Sequence, residues 1–431
     1  MRNDFQDWEK LRRKPVAVLG AGVSGRGVGA LLDRLEWKYE TYDELGRDFG
    51  HTEARACSLV VFSPGFTTSH PWLELAREND IRVMGEMDFG ACFLDNPVIA
   101  ITGTNGKTTL ATMLTHAWKA LGHSAVAAGN VGVPICKLLA DELNQDTVVF
   151  LEVSSFQAQA MKNLRPDNVL WTNFEADHLD YHTDEKEYFL AKANLVEKVG
   201  KGCVIVGRSV SEKAREFDYD LPLKTEVVER NGECSMNLPE DHFLTSFPQL
   251  ENLSIARGFA NSQGIAEKDF DQAIVDYRPE PHRLQKVATI GDATFWNDSK
   301  ATNAGAAVAA CRNFSGNIFW IGGGKSKGED SASFCLRLKP LIKKAFLIGE
   351  MGDALGEDLR AHGVLATLCN SLKEAVNSAY EEVNERTNVL FSPGFASFDC
   401  FSNYVERGKS FMESVFDLKK FVSGSTQECI N

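Results

Sequence analysis

The stretch NPVIAITGTNGKTTLATML, residues 96–114, constrains the architecture more than any other. A breaker pair, Asn96-Pro97, is followed by a short apolar run, a glycine-containing turn, and then a segment with helical spacing. This is the strand–turn–helix order of a phosphate loop, whose backbone N–H groups wrap a polyphosphate ahead of a helix N-terminus. Gly106, Lys107 and Thr108 match the second half of G-x-x-x-x-G-K-[ST]. The place of the first glycine is taken by Ile101, and a glycine comes two residues later as Gly103. A chain built around such a unit forms a parallel sheet with helices packed on it.

The same grammar occurs on either side. PVAVLGAGVSGRGVGALLDRL runs from an apolar stretch through glycines into helical spacing, and YETYDE and LVVFSPG read as the next strands. Asp95-Asn96-Pro97 reads as a linker. Beyond the loop, TVVFLEVSS, NVLWTNF and GCVIVG read as buried strands, whereas residues 210–280 read as polar and loop-like. After PEPHRL the pattern resumes, with ATFWND, NIFWIGGG, KKAFLIG and NVLFSPG alternating with helical stretches such as SLKEAVNSAYEEV. The expected fold is three consecutive α/β domains. They are a Rossmann-like unit over 1–95, a central P-loop ATPase-like unit over 96–282, and a Rossmann-like unit over 283–431. The length of 431 residues fits several cores rather than one.

Composition narrows the partners. The chain is 43% hydrophobic and 25% charged, with a formal net charge of −14 and no basic stripe, which argues against nucleic acid. The charged N-terminus MRNDFQDWEKLRRK lacks the apolar core of a signal peptide, and the apolar runs are too short for membrane insertion. The ten cysteines are scattered without a C-x-x-C pair, as in a reduced cytoplasmic protein.

Several residues carry chemistry on their own account. Gly20, Gly22 and Gly25 form G-x-G-x-x-G, and Asp43 follows at about the dinucleotide-fold spacing. That turn suits an NAD-type cofactor or any other nucleoside diphosphate. In the phosphate loop Lys107 would neutralise β- and γ-phosphate charge, and Thr108 would offer a hydroxyl to Mg²⁺. Glu152, at the end of a strand-like run, stands where a metal or water would be held. EADHLDYH gathers Asp177, His178, Asp180 and His182; with no cysteine or third histidine nearby, His178 is read as facing a metal and His182 as a surface residue. FWNDSKATNAG brings Asp298, Lys300, Thr302 and Asn303 to a strand end, and GGGKSKGED brings Lys325 and Lys327 to another. Cations at strand ends of an acidic protein suit an anionic ligand.

Taken in order, GAGVSG, SPG, ITGTNGKTT, GNVG, LEVSSFQ, TNFEADHLDYH, the lysine of FLAKANL, PHR, NDSKATN, GGGKSKG and FSPGFASFD resemble the Mur ligases of peptidoglycan synthesis along nearly the whole chain. In that family the loop is written G-T-N-G-K-[ST], so the missing first glycine is a family trait. LEVSSFQ and NDSKATN point to its D-glutamate-adding branch.

The resemblance implies an ATP-dependent acid–amino-acid ligase of cell-wall biogenesis, linked to cell shape and division. ATP would phosphorylate the alanyl carboxylate of UDP-N-acetylmuramoyl-L-alanine, and D-glutamate would displace the phosphate. It implies two Mg²⁺ ions, held by Thr108, Glu152, His178 and a carbamylated Lys192, with Lys107, Glu152, His178 and Lys192 as the catalytic set. ATP would meet Gly103, Thr104, Asn105, Gly106, Lys107, Thr108, Thr109, Arg283 and Asp298. The uridine substrate would meet Val23, Ser24, Asp43 and Asn130. D-Glutamate would meet Lys300, Thr302, Lys327, Ser397 and Tyr404.

There are departures. The family's H-N-x-x-N segment near adenine is matched only by ENLSIA, with Glu251, Asn252 and Ile255. Tyr404 stands where phenylalanine is frequent, and Gly394-Phe395 replaces a pair of small residues. A sibling ligase, a folylpolyglutamate synthetase or an NAD-dependent dehydrogenase is the alternative. The GAGVSG unit argues against the synthetase, and a dehydrogenase leaves GTNGKTT without a role.

Overall fold

A computed structural model describes residues 8–428 apart from 68, 131, 176–180, 229–237, 239–241, 243, 245–248, 279–280, 315 and 327–329, with side chains to 423. The chain divides into two compact units, Met1–Arg278 and Pro279–Asn431.

The first unit holds two sheets. One contains β1 (Val16–Leu19), β2 (Tyr39–Tyr42), β3 (Leu59–Phe62) and β4 (Arg82–Gly85), all parallel, in the order β2-β1-β3-β4. The other contains β5 (Val98–Thr102), β6 (Ala125–Gly129), β7 (Val148–Glu152), β8 (Asn168–Trp171), β9 (Val204–Gly207) and β10 (Thr225–Val228), also parallel, in the order β10-β9-β8-β5-β7-β6. The second unit holds β11 (Gln285–Ile290), β12 (Ala293–Asn297), β13 (Asn317–Gly323), β14 (Lys344–Ile348), β15 (Leu365–Leu368) and β16 (Thr387–Gly394). Its order is β11-β12-β16-β13-β14-β15, with β11 antiparallel at the edge.

Every sheet is covered on both faces, which is why its central strands read as unbroken apolar runs. In β1, Val16 and Val18 enter one core while Ala17 and Leu19 enter another. In the second sheet Ala100 and Leu151 face one core, and Ile99, Ile101 and Phe150 face the other. Ile318 and Trp320 of β13 likewise oppose Phe319 and Ile321. Met87, Ala91 and Leu94, which follow β4, pack into the core of the second sheet. The first two sheets therefore fall into one compact unit, and a boundary at 95/96 remains a proposal.

Residues 210–280 differ from the loop-like expectation. Helices span Gln249–Ser262 and Glu267–Ile274. The first of these buries Glu251, Asn252, Arg257 and several apolar residues, so its polar side chains point inward and blur the amphipathic signal. Arg257 and Asp271 close a buried two-point ion pair between the two helices, with both bonds at 2.8 Å.

Strand order decides which motifs meet. In each sheet a pair of strands consecutive in the chain is parted by another strand: β2 and β3 by β1, β5 and β6 by β7, β12 and β13 by β16, and loops at the carboxyl ends of such neighbours converge. Ligand-bearing turns far apart in sequence thus become adjacent in each of the three sheets.

Candidate active site

At the carboxyl edge of the first sheet, the turn after β1 passes through Gly20 at φ 98°, and a helix begins at Val23 with Gly22 as its N-cap. A Cβ at Gly25 would run into the carbonyl of Gly20, so the helix can approach the strand this closely only with glycine there. Asp43, at the end of β2, accepts from the Ala21 N–H at 2.7 Å and from the Leu45 N–H at 3.2 Å. Those donors hold its carboxyl below the usual carboxylate range. Asp43 and the first turn of the Val23–Arg34 helix are therefore brought together, with Val23 exposed and Ser24 half-buried.

In the second sheet, β8, β5 and β7 are neighbours, so TNFE, GTNGKTT and LEVSS share one edge. The phosphate loop leaves β5 and enters the helix Lys107–Ala120, with Gly106 at φ 83° as N-cap. The loop is propped from behind by the end of β8. Thr104 N–H donates to Asn173 O at 3.1 Å, Asn105 N–H donates to Asn173 Oδ1 at 2.9 Å, and Thr172 Oγ1 donates to Asn105 O at 2.6 Å. Lys107 Nζ donates to Gly103 O at 2.9 Å and Thr104 O at 2.8 Å, folded back over its own loop. Thr109 is buried in the first turn.

Glu152, 2% exposed at the end of β7, accepts from Thr108 Oγ1 at 2.7 Å and from Asn130 Nδ2 at 3.0 Å. The Ser154 and Gln157 that follow it make a capping box on the next helix, so part of LEVSSFQ is structural punctuation. Lys192 is buried, not on a solvated face. Its Nζ donates to Gly103 O at 2.8 Å and lies 4.5 Å from the centre of the Tyr188 ring. His182 also departs from expectation. It is 1% exposed, with Nε2 at 3.0 Å from Ser155 Oγ and its ring stacked on Phe156. The aromatic residues around it outweigh the polar run that suggested a surface. His178 and Lys327 lie outside the described residues, as do Asp177 and Asp180.

A cavity of about 150 Å³ opens in this unit between the turn after β3 and the helix after β7. Phe62, Phe66, Met87, Phe156, Met161 and Tyr181 line it. Asn252 presses its amide against Gly106, within 2.5–3.0 Å of where a Cβ would stand.

In the second unit, β16 lies between β12 and β13, so NDSKATN, FSPGFAS and GGGK meet at one edge. Asp298 is buried there, accepting from Ser392 Oγ at 2.7 Å and Leu284 N–H at 3.2 Å. Burial pushes its carboxyl up to about 7, and the Ser392 and Leu284 donors and the Arg283 charge limit the rise. Arg283 sits in a turn whose flanking residues, His282 and Leu284, have φ of 67° and 41°. Such angles are strained for side chains of this size and persist only when the surroundings hold them. Lys300 N–H donates to His282 O at 3.1 Å, and Asn297 Nδ2 lies 2.9 Å from His282 Nδ1. Lys300 Nζ lies 5.7 Å from the centre of the Tyr404 ring. Ser397 is buried, and Thr302 is half-buried on the loop that carries Lys300.

Residues 101–236 match the family described as Mur ligase middle domain, and residues 282–395 match the one described as Mur ligase, glutamate ligase domain. The UDP-N-acetylmuramoylalanine–D-glutamate ligase of Thermoanaerobacter pseudethanolicus is 30% identical, across 95% of this chain and 100% of that one. The chain belongs to the Mur ligase family. The enzyme of the same name from Aquifex aeolicus is 32% identical to this Mur ligase, across 92% of this chain and 97% of the relative. The solved structure of the MurF ligase from Thermotoga maritima in complex with ADP shares the fold. Its TM-score is 0.53 at 14% identity, covering 88% of this chain and 98% of that one.

No sequence motif marks the supports of this Mur ligase's site. Thr172 and Asn173 were visible only as the TN of a strand end, and Ser392 only as part of FSPG. Asn252 was singled out by its motif position but not by any physical signal.

Proposed function

We infer that this Mur ligase joins D-glutamate to UDP-N-acetylmuramoyl-L-alanine at the expense of ATP, in the cytoplasm, during peptidoglycan synthesis. The observation that carries the reading is the Thr108–Glu152–Asn130 cluster beside Lys107. A buried carboxylate and a hydroxyl stand against a phosphate loop, and Asn130, bonded to that carboxylate, would meet the uridine substrate. The names of the relatives from Thermoanaerobacter and Aquifex support the choice of substrates.

The donor set fits Mg²⁺, a hard cation that takes carboxylate and hydroxyl oxygens. Thr108 and Glu152 would hold one ion, and His178 with a carbamylated Lys192 a second. When bound, the ions would neutralise charge on the phosphates. The loop N–H groups and Lys107, swung off Gly103 O, would cradle the β- and γ-phosphates. The loop's own residues Gly103–Thr109 would complete the first unit's contacts to ATP. Arg283 and Asp298 are proposed as nucleotide contacts on the second unit's own account. Asp43, Val23 and Ser24 would hold the uridine diphosphate end. The apolar cavity and Asn130 would lie along the muramoyl arm.

An alanyl carboxylate oxygen then attacks the γ-phosphorus, the bond to the β–γ bridging oxygen breaks, and ADP leaves. The D-glutamate amine attacks the acyl carbon, the carbon–oxygen bond breaks, inorganic phosphate leaves, and the amine proton passes to solvent. Lys300, Thr302, Lys327, Ser397 and Tyr404 would orient the two carboxylates of D-glutamate. Hydroxylamine added without D-glutamate tests the acyl phosphate. An alanyl hydroxamate that forms only with ATP is expected, and ADP release without it would count against that intermediate.

A further inference from the structure

Arg407 is among the largest fully buried side chains, at 1% exposure, and no motif singled it out. Its guanidinium reaches two separate loops. Nε donates to Ser299 Oγ at 3.1 Å, Nη2 to Ser299 O at 3.0 Å, and Nη1 to Phe395 O at 3.0 Å. Ser299 Oγ in turn donates to Tyr404 O at 2.8 Å. The acceptors are a hydroxyl and two carbonyls, all neutral. Among the described residues no carboxylate forms an ion pair with it, although the Asp399 charge favours its cationic form; a buried guanidinium bonded to neutral oxygens gives up its hydration for little charge in return. Burial also lowers its pKa to about 10. An apolar side chain of that volume would spare the guanidinium's desolvation but leave these acceptors without their donor, and what the fork alone supplies is a fixed separation between two loops.

What the fork joins is specific. Lys300 follows Ser299, Ala396 and Ser397 follow Phe395, and Tyr404 carries the carbonyl that Ser299 binds. The third loop is tied to the same block, since Lys325 N–H donates to Ala396 O at 2.9 Å and Ala396 N–H to Lys325 O at 3.2 Å. Gly324, at φ 139°, leaves room for the guanidinium: a Cβ there would come within 3.2 Å of Nη1.

We propose that Arg407 is the positioning residue of the amino-acid pocket, its planar fork fixing the Ser299–Lys300 loop against the Phe395–Ser397 loop so that both present their groups to one amino-acid substrate. This rests on the D-glutamate reading above. A planar fork can hold two loops at a set separation, whereas a lysine offers one point charge.

The test is steady-state kinetics of amide formation by wild type, Arg407→Met and Arg407→Lys, with each substrate varied in turn. Arg407→Met fills the same space without donors. It leaves the Ser299 and Phe395 carbonyls without their donor, so it should fold with a lowered unfolding midpoint, and it should raise the KM for D-glutamate about tenfold or more, because small misplacements of binding groups are costly. The KM values for ATP and the uridine substrate should stay within about twofold, since Asp298 and the phosphate loop have their own supports. Arg407→Lys should fall between. A packing role predicts instead that Arg407→Met restores the D-glutamate KM, and that result overturns the proposal, as does an equal rise for all three substrates. If Arg407→Met does not fold, Ser299→Ala decides. It removes one acceptor and should raise the D-glutamate KM alone, and an unchanged KM overturns the proposal. Wild-type turnover with D-glutamate tests the underlying reading separately, because the claim for Arg407 concerns only the ratio of variant to wild type.

Discussion

The hydroxyl of Thr108 and the carboxylate of Glu152 meet at 2.7 Å although 44 residues separate them in sequence. The contact exists because β5 and β7 are neighbours in register, with Ile101 paired to Glu152. The first turn of the phosphate-loop helix therefore rests against a buried acid. This pair should govern the metal requirement. Thr108→Val should raise the Mg²⁺ concentration for half-maximal ATP cleavage about tenfold or more, since one hard oxygen donor is lost. Chelation by EDTA should stop cleavage in both proteins. An unchanged Mg²⁺ profile would remove Thr108 from the metal site.

Lys107→Ala should reduce ATP cleavage about a hundredfold or more, the scale seen when one preorganised charge-stabilising group is removed. Binding of the uridine nucleotide, followed by calorimetry, should change little, because Asp43 and the Gly20 turn belong to another sheet. Parallel losses in both measurements would contradict the separation of the two ligands.

Lys192 donates to the same Gly103 carbonyl as Lys107. As an ammonium it would repel a second cation, whereas a carbamate formed from its amine and CO₂ would offer anionic oxygens. Carbon-13-labelled bicarbonate should give a carbamate resonance that Lys192→Ala lacks. That variant should lose most activity and regain part of it with a short carboxylate added. Full activity in Lys192→Ala, with CO₂ depletion also without effect, would exclude the residue from the mechanism.

Asp298 supplies a pH dependence of stability. Its carboxyl is pushed up to about 7 in the folded chain, against about 3.9 when exposed. Between those values the folded form binds more protons than the unfolded, so this group's contribution to stability falls as pH rises from about 4 to about 7 and is flat above. Wild type should therefore lose ground to Asp298→Asn across that window when unfolding midpoints are compared at each pH. A constant difference between the two proteins would show that the carboxyl titrates normally.

The legible parts of this chain were those where local chemistry repeats a physical requirement. Buried parallel strands read as apolar runs, and several of the turns after them need glycine, so β1, β3, β5, β7, β8, β9, β12, β13, β14 and β16 stand out. The edge strand β15 does not, since Leu365 and Leu368 are exposed and its pattern is weak. The helix Gln249–Ser262 is hidden in the sequence because it buries Glu251, Asn252 and Arg257 among its apolar residues, and the partner of Arg257, Asp271, lies on another helix. The site was legible where a motif carries the reacting groups, as at Lys107 and Glu152. It was illegible where a distant residue props them, as with Asn173 behind the phosphate loop and Arg407 between two strand ends. His182 is buried rather than on the surface for the same reason, its aromatic neighbours Phe156, Tyr181 and Tyr188 being spread along the chain.

The most direct test of the account is the choice of amino acid. The purified protein, ATP, Mg²⁺ and UDP-N-acetylmuramoyl-L-alanine are mixed with D-glutamate, L-glutamate, L-lysine or meso-diaminopimelate in separate reactions, and phosphate release and the new amide are measured together. The account predicts one phosphate per amide with D-glutamate and neither with the other three. Amide formation with meso-diaminopimelate at a rate equal to or above that with D-glutamate would contradict it.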